Sequence, residues 1–300
     1  MTGPATASLT PAALRDLARR HGVTPRKSLG QHFLIEPSLA RRIAELAGVG
    51  RRDRVLEIGA GLGSLTAALA STGALVTAVE IDRRLLPALG EAIEGRRNVT
   101  IVHADALAAS WDELLGTESA PWSVVANLPY NVGARFVLRA LDEEPRIERL
   151  VVMVQREVGE RLAASPGDEQ FGAASLRVAY RARAVLVRRV PPTVFWPVPA
   201  VESVLVRIDR RREPPVDADE ETLLRIIREA FAQRRKTVRS ALVRLGMERA
   251  EAKDALAAAH IDQMARPEAL GLEDFGRLAR AVVAGSGPST APAPDGGAAR

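Results

Sequence analysis

From residue 54 onward, short apolar runs rich in β-branched residues alternate with longer segments whose apolar residues recur at helical spacing. Strands that alternate with helices in this way pair in parallel through right-handed crossovers. The last two strand-like runs have only a proline-rich loop between them, so we expect them to pair antiparallel. The pattern predicts an α/β fold with a seven-stranded, mostly parallel sheet. The predicted strands are 55–58, 75–81, 99–103, 122–126, 150–154, 174–190 and 201–209, and the predicted helices between them are 64–69, 84–93, 134–141 and 156–164.

The chain on either side of this α/β pattern has a different character. The first 25 residues read as an N-terminal arm with one short helix, because Thr10 can cap it, Pro11 suits its first turn and Gly22 suits its end. Charged residues and prolines after the last strand indicate a linker, and helical periodicity follows. The predicted domains are an arm (1–25), an α/β domain (26–209), a linker (210–220), a small all-α domain (221–284) and a disordered tail (285–300).

Composition excludes several classes of protein. The chain has no cysteine, and its four histidines are scattered, so neither a disulfide framework nor a metal site is expected. Every apolar run is far shorter than the roughly 20 residues that a membrane span needs. The N-terminus has no secretory or transit signal, which predicts a cytoplasmic protein that does not associate with membranes.

Positive charge is concentrated in one segment. Residues 223–246 contain seven basic residues and one acidic residue, so this segment carries +6 while the whole chain carries +5. Such clustering is typical of a surface that binds a polyanion. We predict RNA contacts at Arg234, Arg235, Lys236 and Arg239, with Arg235 and Arg239 on one face of a continuous helix over 221–245. The alternative is that the many arginines reflect a GC-rich genome.

A glycine-rich turn follows the first predicted strand. Its spacing of Gly59, Gly61 and Gly63 places Ser64 where a dinucleotide-binding fingerprint has its third glycine. The spacing fits enzymes that use S-adenosylmethionine better, although a purely structural turn stays open as an alternative. Strand ends of a doubly wound sheet are where nucleotides bind.

The next two strand ends carry acidic residues that suit such a cofactor. Glu80 follows Gly59 at the distance where a carboxylate accepts hydrogen bonds from ribose hydroxyls. Asp105 is placed to accept a hydrogen bond from an adenine amino group, with Ile81 and Ala106 on either side of the ring. Three successive strand ends with suitable residues indicate an S-adenosylmethionine site.

The fourth strand ends in Asn127, Leu128, Pro129 and Tyr130, which resembles the tetrad of enzymes that methylate amino nitrogens. The lone pair of an adenine N6 is delocalised into the ring. Two acceptors, the Asn127 side-chain oxygen and the Leu128 carbonyl, can draw the N6 hydrogens out of the ring plane and localise that pair. Pro129 stiffens the turn, and Tyr130 offers a face on which an extruded base can stack.

Two further stretches, residues 27–34 (KSLGQHFL) and 191–203 (PPTVFWPVPAVES), closely resemble signatures of the ribosomal RNA adenine dimethylase family. A third, residues 231–239 (FAQRRKTVR), resembles the signature of its small-subunit branch. The resemblance covers about residues 8–283. It implies a Rossmann-like class I S-adenosylmethionine methyltransferase fold and dimethylation of N6 on two adjacent adenosines near the 3′ end of 16S rRNA. The implied substrate is an assembly intermediate of the small ribosomal subunit, and we expect a monomer.

The resemblance also implies roles for single residues. His32, Leu34, Gly59, Glu80, Asp105 and Asn127 would contact the cofactor, with Gly61 as a further candidate, and Phe195 would face Tyr130 across the target base. Without the resemblance, a phenylalanine in a proline-rich loop is more often a core residue, and that alternative for Phe195 stays open. The family usually has asparagine at position 32, so the cofactor contact of His32 is open. Arg26 and Lys27 are further candidate RNA contacts.

Two alternatives stay open from the sequence. Erythromycin-resistance methylases modify an adenine of 23S rRNA and share the glycine turn and the tetrad, but they lack a stretch like Gln233–Thr237. A non-catalytic assembly factor on the same fold is the second alternative. Such a factor would be expected to lose Asn127 or Glu80, and both are present.

Overall fold

The computed structural model describes residues 9–233 and 235–285, apart from the Lys27 side chain. Contacts divide the chain into two compact units. The first contains the residues up to 164 together with 177–213, and the second contains 165–176 together with the residues from 214 onward. The terminal segments 1–8 and 286–300, which include nearly all of the predicted tail, lie outside the described residues.

The first unit is built on a seven-stranded sheet whose strand order is β4-β3-β2-β5-β6-β9-β7. Strands β4, β3, β2, β5 and β6 are parallel to one another, whereas β9 is antiparallel to both β6 and β7. The predicted seven-stranded, mostly parallel sheet is therefore confirmed. Two further short strands, β1 and β8, pair with each other in a separate two-stranded sheet. In chain order the strands are β1 (Phe33–Leu34), β2 (Arg54–Ile58), β3 (Leu75–Glu80), β4 (Val99–His103), β5 (Trp122–Asn127), β6 (Ile147–Gln155), β7 (Ala182–Val190), β8 (Phe195–Trp196) and β9 (Ser203–Arg210).

Some helices pack on this sheet within the first unit, and others form the second unit. In chain order they are α1 (Pro11–Arg20), α2 (Pro37–Ala47), α3 (Ser64–Ser71), α4 (Leu86–Ala92), α5 (Trp111–Leu115), α6 (Gly133–Glu143), α7 (Arg156–Ala163), α8 (Ala173–Arg181), α9 (Glu220–Ala232), α10 (Val238–Arg244), α11 (Arg249–Ala258) and α12 (Leu272–Gly285). Short 3-10 turns lie at Lys27–Leu29, Arg83–Leu85, Pro192–Val194 and Pro267–Ala269. No helix within the described residues is long and apolar enough to cross a membrane.

Both faces of the central strands are buried, as is typical of a parallel sheet. Because side chains alternate along a strand, successive residues enter different apolar cores. On β5, Val124 packs in the core that contains Phe136 of α6, while Val125 packs in the core that contains Ile43 of α2. All four side chains are fully buried. The two-sided burial explains why these strands read as continuous apolar runs.

Helix α1 begins as its sequence predicts but does not form a separate arm. The Ala13 amide donates a hydrogen bond to Thr10 Oγ1 at 3.2 Å, and Pro11 occupies the first turn. Leu14 and Leu17 are buried in a core that also contains Phe33 of β1. The apolar face of α1 thus belongs to the first unit.

The predicted strand over residues 174–190 is wrong in its first half, where α8 forms instead. Leu176, Val178 and Tyr180 alternate as in a strand, but the spacing of Leu176 and Tyr180 also suits one face of a helix, and all three are buried. Residues 165–176 belong to the second unit, whereas the sequence places them in the α/β domain. There the Phe171 ring meets the Phe231 ring edge to face, with centroids 5.9 Å apart.

The predicted continuous helix over 221–245 is also wrong, because it is two helices separated by a turn. Helix α9 ends at Ala232, and Thr237 caps α10 by accepting a hydrogen bond from the Ser240 amide at 3.4 Å. Thr237 has extended backbone angles, which a residue inside a helix cannot adopt. Arg235 and Lys236 therefore lie in the turn, so Arg235 and Arg239 do not share one helix face. Arg234 lies outside the described residues.

Packing of α7 on the sheet depends on Gly159, and this generates a stability prediction. A Cβ atom at Gly159 would lie 2.2 Å from Val204 Cγ2, whereas nothing lies within 4 Å of a Cβ at Gly90 in α4. We expect Gly159→Ala to lower the free energy of unfolding by about 1–3 kcal/mol through overpacking. The matched control Gly90→Ala should raise it by up to about 1 kcal/mol through helix propensity. Urea denaturation of both variants would measure this, and equal stability of the two would contradict the packing argument.

Candidate active site

A pocket opens at the carboxyl ends of β2, β3, β4 and β5, and it brings together most of the predicted site residues. The predicted cofactor contacts and the whole tetrad line it: His32, Leu34, Gly59, Gly61, Glu80, Ile81, Asp105, Ala106, Asn127, Leu128, Pro129 and Tyr130. Phe195, which the sequence predicts to face the target base, is not among the residues that line the pocket. Groups of three or more side chains suited to binding a metal ion are absent from the described residues.

Both the backbone conformation and the packing of the glycine turn require residues without a side chain. Gly59 and Gly61 have φ angles of 72° and 58°, a region that side chains disfavour. A Cβ at Gly61 would lie 2.9 Å from Phe33 Cδ1. The turn therefore needs glycine in order to fold, and the same lack of side chains leaves its backbone open to the pocket.

Glu80, at the end of β3, anchors this turn. Its Oε2 accepts a hydrogen bond from the Gly61 amide at 2.8 Å, and its Oε1 accepts one from the Asp82 amide at 2.9 Å. The side chain is only 4% exposed, and burial raises its pKa. Because each carboxylate oxygen can accept more than one hydrogen bond, Glu80 keeps acceptor capacity toward a ligand.

Glu57 was missed by the sequence reasoning. It lines the floor of the pocket in β2, is 1% exposed, and its Oε2 has no hydrogen-bond partner within the described part of the chain. Burial raises the pKa of Glu57 to about 8, because a site without water disfavours the charged carboxylate. The signal available in the sequence was an acidic residue among the apolar residues of the predicted strand 55–58.

Three residues that the sequence predicts to contact an adenine ring, Ile81, Asp105 and Ala106, line another part of the pocket. Asp105 is exposed, and its Oδ1 accepts a hydrogen bond from the Leu107 amide at 2.8 Å, which holds the carboxylate in place. Ile81 is 45% exposed although it is a large apolar residue, while Ala106 is buried. An exposed apolar side chain beside a fixed carboxylate suits a planar heterocycle with an amino group.

Asn127 has a defined orientation at the end of β5. Its Nδ2 donates a hydrogen bond to the His32 carbonyl oxygen at 2.9 Å, which identifies the nitrogen of the amide. The side-chain oxygen, Oδ1, is therefore the atom left as an acceptor for a ligand. Beyond it, the Leu128 amide donates to the Met153 carbonyl at 3.0 Å, and the Pro129 carbonyl accepts from the Val132 amide at 2.9 Å. These bonds fix the backbone of the tetrad on both sides of Pro129.

Tyr130 and His32 form an aromatic wall of the pocket. Their ring centroids are 5.1 Å apart with a tilt of 30°. The Tyr130 hydroxyl is 2.9 Å from Ser203 Oγ, and burial raises the Tyr130 pKa. His32 Nδ1 is 2.8 Å from the Pro197 carbonyl oxygen, and since a carbonyl only accepts, Nδ1 must carry the proton. His32 thus connects the tetrad to the proline-rich loop.

The expectation for Phe195 is wrong in this structure. Phe195 is 1% exposed and packs in a core with Leu34 and Val190. The physical reason is that β8 pairs antiparallel with β1, which places Phe195 opposite Leu34 and turns its ring inward. The neighbouring Trp196 packs beside Phe33 instead, with ring centroids 5.9 Å apart. Phe195 does not face Tyr130 across an open slot.

A second residue missed by the sequence reasoning, Gln31, ties the N-terminal segment to the pocket. Its Oε1 accepts a hydrogen bond from the Arg26 amide at 2.8 Å, and its Nε2 donates to Asp82 Oδ2 at 3.0 Å. The Arg84 guanidinium beside Asp82 holds the pKa of that carboxyl well below its usual range. The Arg26 side chain is exposed, and Lys27 follows it in a 3-10 turn.

The basic residues of the second unit lie on its surface. Arg235, Lys236 and Arg239 are all exposed. Arg239 Nη1 donates to Gln263 Oε1 at 3.2 Å, whereas Arg244 pairs with the Glu229 carboxylate. The turn between α9 and α10 therefore presents Arg235 and Lys236 to solvent, and the first turn of α10 presents Arg239.

Known proteins match nearly the whole chain. A model of the family described as "Ribosomal RNA adenine dimethylase" matches residues 22–280. "Ribosomal RNA small subunit methyltransferase A" of Moorella thermoacetica is 44% identical over 281 residues, which cover 91% of this chain and 98% of that protein. The protein of the same name from Thermobifida fusca is 46% identical over 276 residues, covering 90% of this chain and 95% of that protein.

Solved structures agree on the fold. The crystal structure of the 23S rRNA methyltransferase ErmE has a TM-score of 0.66 at 28% identity and covers 84% of this chain and 99% of that one. A dimethyladenosine transferase from Plasmodium falciparum has a TM-score of 0.67 at 23% identity, covering 82% and 96%. The fold is that of a class I methyltransferase. Given the extent of the family match and the identity to these relatives, the chain belongs to the ribosomal RNA adenine dimethylase family.

Proposed function

We propose that this chain transfers methyl groups from S-adenosylmethionine to the N6 amino groups of two adjacent adenosines near the 3′ end of 16S rRNA. The observation that carries the proposal is the orientation of Asn127, whose Nδ2 is occupied by the His32 carbonyl so that Oδ1 is left to accept. An oriented acceptor beside an aromatic wall is what an N6 amino group requires. The substrate class is the one named for relatives that are 44–46% identical.

The residues around the glycine turn suit S-adenosylmethionine. Glu80 would accept hydrogen bonds from the ribose hydroxyls and Asp105 one from the adenine amino group, with Ile81 and Ala106 against the ring. Gly59 and Gly61 would present backbone to the cofactor, and Leu34 would add an apolar contact. The unpartnered, buried Oε2 of Glu57 gives the pocket floor a further polar atom that a ligand can satisfy. When bound, the cofactor supplies an electrophilic methyl group on a sulfonium sulfur.

The tetrad would prepare the nucleophile. Asn127 Oδ1 and the Leu128 carbonyl would accept the two N6 hydrogens, which localises the nitrogen lone pair without a strong base. Tyr130 would support the extruded base by stacking, an interaction worth about 1–3 kcal/mol. Much of the rate would then come from proximity and orientation in a pocket that excludes water.

Sequence identity to known methyltransferases favours small-subunit rRNA over large-subunit rRNA as the substrate. The relatives named for the small subunit are 44–46% identical, compared with 28% for ErmE. In the stretch that resembles the small-subunit signature, Arg235 and Lys236 are exposed in the turn between α9 and α10, and Arg239 is exposed in α10. We further propose an assembly intermediate of the small subunit as the substrate and a monomeric, cytoplasmic enzyme. The retained Asn127 and Glu80 favour an enzyme over a non-catalytic assembly factor.

Mass spectrometry of rRNA from cells that lack this protein tests the function. Two adjacent adenosines near the 3′ end of 16S rRNA should lose their methyl groups, and restoring the wild-type chain should return them. Loss of methylation on a 23S adenine instead would identify the erythromycin-resistance activity. Unchanged methylation of both RNAs would favour the non-catalytic factor.

The proposed role of Asn127 predicts a defect in rate. Asn127→Ala should lower the single-turnover rate at least about 100-fold, because a positioned polar group of this kind contributes on the order of 3 kcal/mol. Affinity for the cofactor, measured by calorimetry, should stay within several-fold. The matched control is Asn98→Ala, which removes an amide that donates to the Ala70 and Ala74 carbonyls outside the pocket. A near-normal rate for Asn127→Ala would exclude the acceptor role.

The position of Glu80 predicts a combined loss of cofactor affinity and stability. In Glu80→Gln, the side-chain NH₂ must face one of the two backbone amides that the carboxylate now accepts from. Losing a charged acceptor costs about 1.5–3 kcal/mol, so we expect roughly 10- to 150-fold weaker binding of the cofactor and a lower melting temperature. The exposed Glu118→Gln should change neither. Wild-type affinity in Glu80→Gln would show that the carboxylate does not serve the cofactor.

The exposed basic residues of the turn and of the start of α10 predict salt-dependent binding to the ribosomal particle. Arg235→Ala/Arg239→Ala should weaken binding and reduce the slope of log affinity against log salt by about 0.7–0.9 for each lost phosphate contact. Arg228→Ala, which removes an exposed arginine from α9, is the control for general composition. Filter binding across a series of salt concentrations would measure both. The same slope for wild type and the double variant would mean that this turn does not contact RNA.

A further inference from the structure

The outer end of the sheet carries a second set of arginines that the proposed site does not use. Strand β7 is the last strand of the sheet, and it pairs only with β9 among the described strands. Arg188 and Arg189, near its carboxyl end, are both exposed. Neighbouring residues of a strand point to opposite faces, so this pair of guanidinium groups flanks the strand on both sides.

The topology places these arginines at the same edge of the sheet as the pocket. Because β9 is antiparallel to both β6 and β7, β7 runs parallel to β6 and β5. Val190 and Gln155 both pair with Ser203, whose Oγ lies 2.9 Å from the Tyr130 hydroxyl. A continuous row of backbone therefore runs from the aromatic wall to the end of β7.

The distance along this row suits a bound strand of RNA. Three strand spacings, about 14 Å in total, separate Asn127 at the end of β5 from the end of β7. Nucleotides that flank a base held at Asn127 come within reach of a long arginine side chain over this distance. The cofactor side of the pocket, at β2, β3 and β4, lies in the opposite direction along the sheet.

Within the described part of the chain, no acidic side chain neutralises the charges of Arg188 and Arg189. Neither guanidinium has a hydrogen bond or an ion pair with any described residue. By contrast, Arg149 and Arg207, on β6 and β9, both pair with Asp209. Two uncompensated cations beside a pocket for a nucleobase are complementary to phosphates.

We propose that Arg188 and Arg189 bind the phosphates of the RNA strand that flanks the target adenosine. The proposal rests on the proposed RNA substrate, and it adds a contact surface on the first unit, separate from the basic turn of the second. An alternative reading is that the arginines keep an edge strand from pairing with other sheets. That role would apply equally to Arg183, which is exposed at the other end of β7, about 16 Å away along the strand.

Arg183 therefore serves as the matched control for the test. Binding of wild type, Arg188→Ala/Arg189→Ala and Arg183→Ala to unmethylated small-subunit particles would be measured by filter binding across a salt series. The double variant should bind at least 10-fold more weakly near physiological salt, with a salt slope reduced by about 1.4–1.8, since two contacts are lost. Arg183→Ala should match wild type. Arg188→Lys/Arg189→Lys should recover most of the affinity, because it keeps both charges.

Kinetic readouts separate this surface from the catalytic site. The double alanine variant should have a raised KM for the particle, a kcat within about threefold of wild type and an unchanged melting temperature and cofactor affinity. A wild-type KM and salt slope in the double variant, or an equal loss in Arg183→Ala, would overturn the proposal. If the wild-type chain methylates no rRNA, the proposed function fails, while the binding series still decides whether these arginines contact RNA.

Discussion

The Glu80 carboxylate is the interaction on which the pocket depends. Its two oxygens hold the amides of Gly61 and Asp82, so a single buried side chain fixes the glycine turn after β2 against the end of β3. Asp82 in turn accepts from Gln31, which brings the segment before β1 to the same place. Three stretches that are distant in sequence are thereby held around one cavity. Any ligand that adds donors to Glu80 enters a network that is already ordered, so little ordering remains to be done on binding.

On the side of the pocket formed by the tetrad, His32 connects Asn127 to the proline-rich loop. His32 uses its backbone carbonyl to orient the Asn127 amide and its ring nitrogen to hold the Pro197 carbonyl. The chemistry of the tetrad and the position of the proline-rich loop are thus coupled through one residue. Asparagine, the family's usual residue here, has no ring to set against Tyr130. The substitution therefore changes how the wall of the pocket is built while leaving the orientation of Asn127 to the backbone.

The strands, the glycine turn and the ends of β3, β4 and β5 could be predicted because they depend on local pattern and on the rule that parallel strands end at one edge. Three features were predicted wrongly, each for a different reason. Phe195 is buried because its short strand pairs with β1, far away in the chain. Residues 173–181 form a helix although their apolar residues alternate, and α9 stops because Thr237 begins a new helix. Glu57 and Gln31 were missed because single polar residues give no repeating signal.

The contact between Phe171 and Phe231 has a consequence for how the chain becomes structured. The second unit takes one of its pieces, residues 165–176, from between two stretches of the first unit. It is therefore discontinuous, and its aromatic contact is missing until α9 has been synthesised. During translation residues 165–176 are made before β7 and β9, and α9 is made only after these two strands. Cutting the chain near residue 213 would separate residues 165–176 from the rest of the second unit, so a C-terminal fragment that begins there contains only part of that unit.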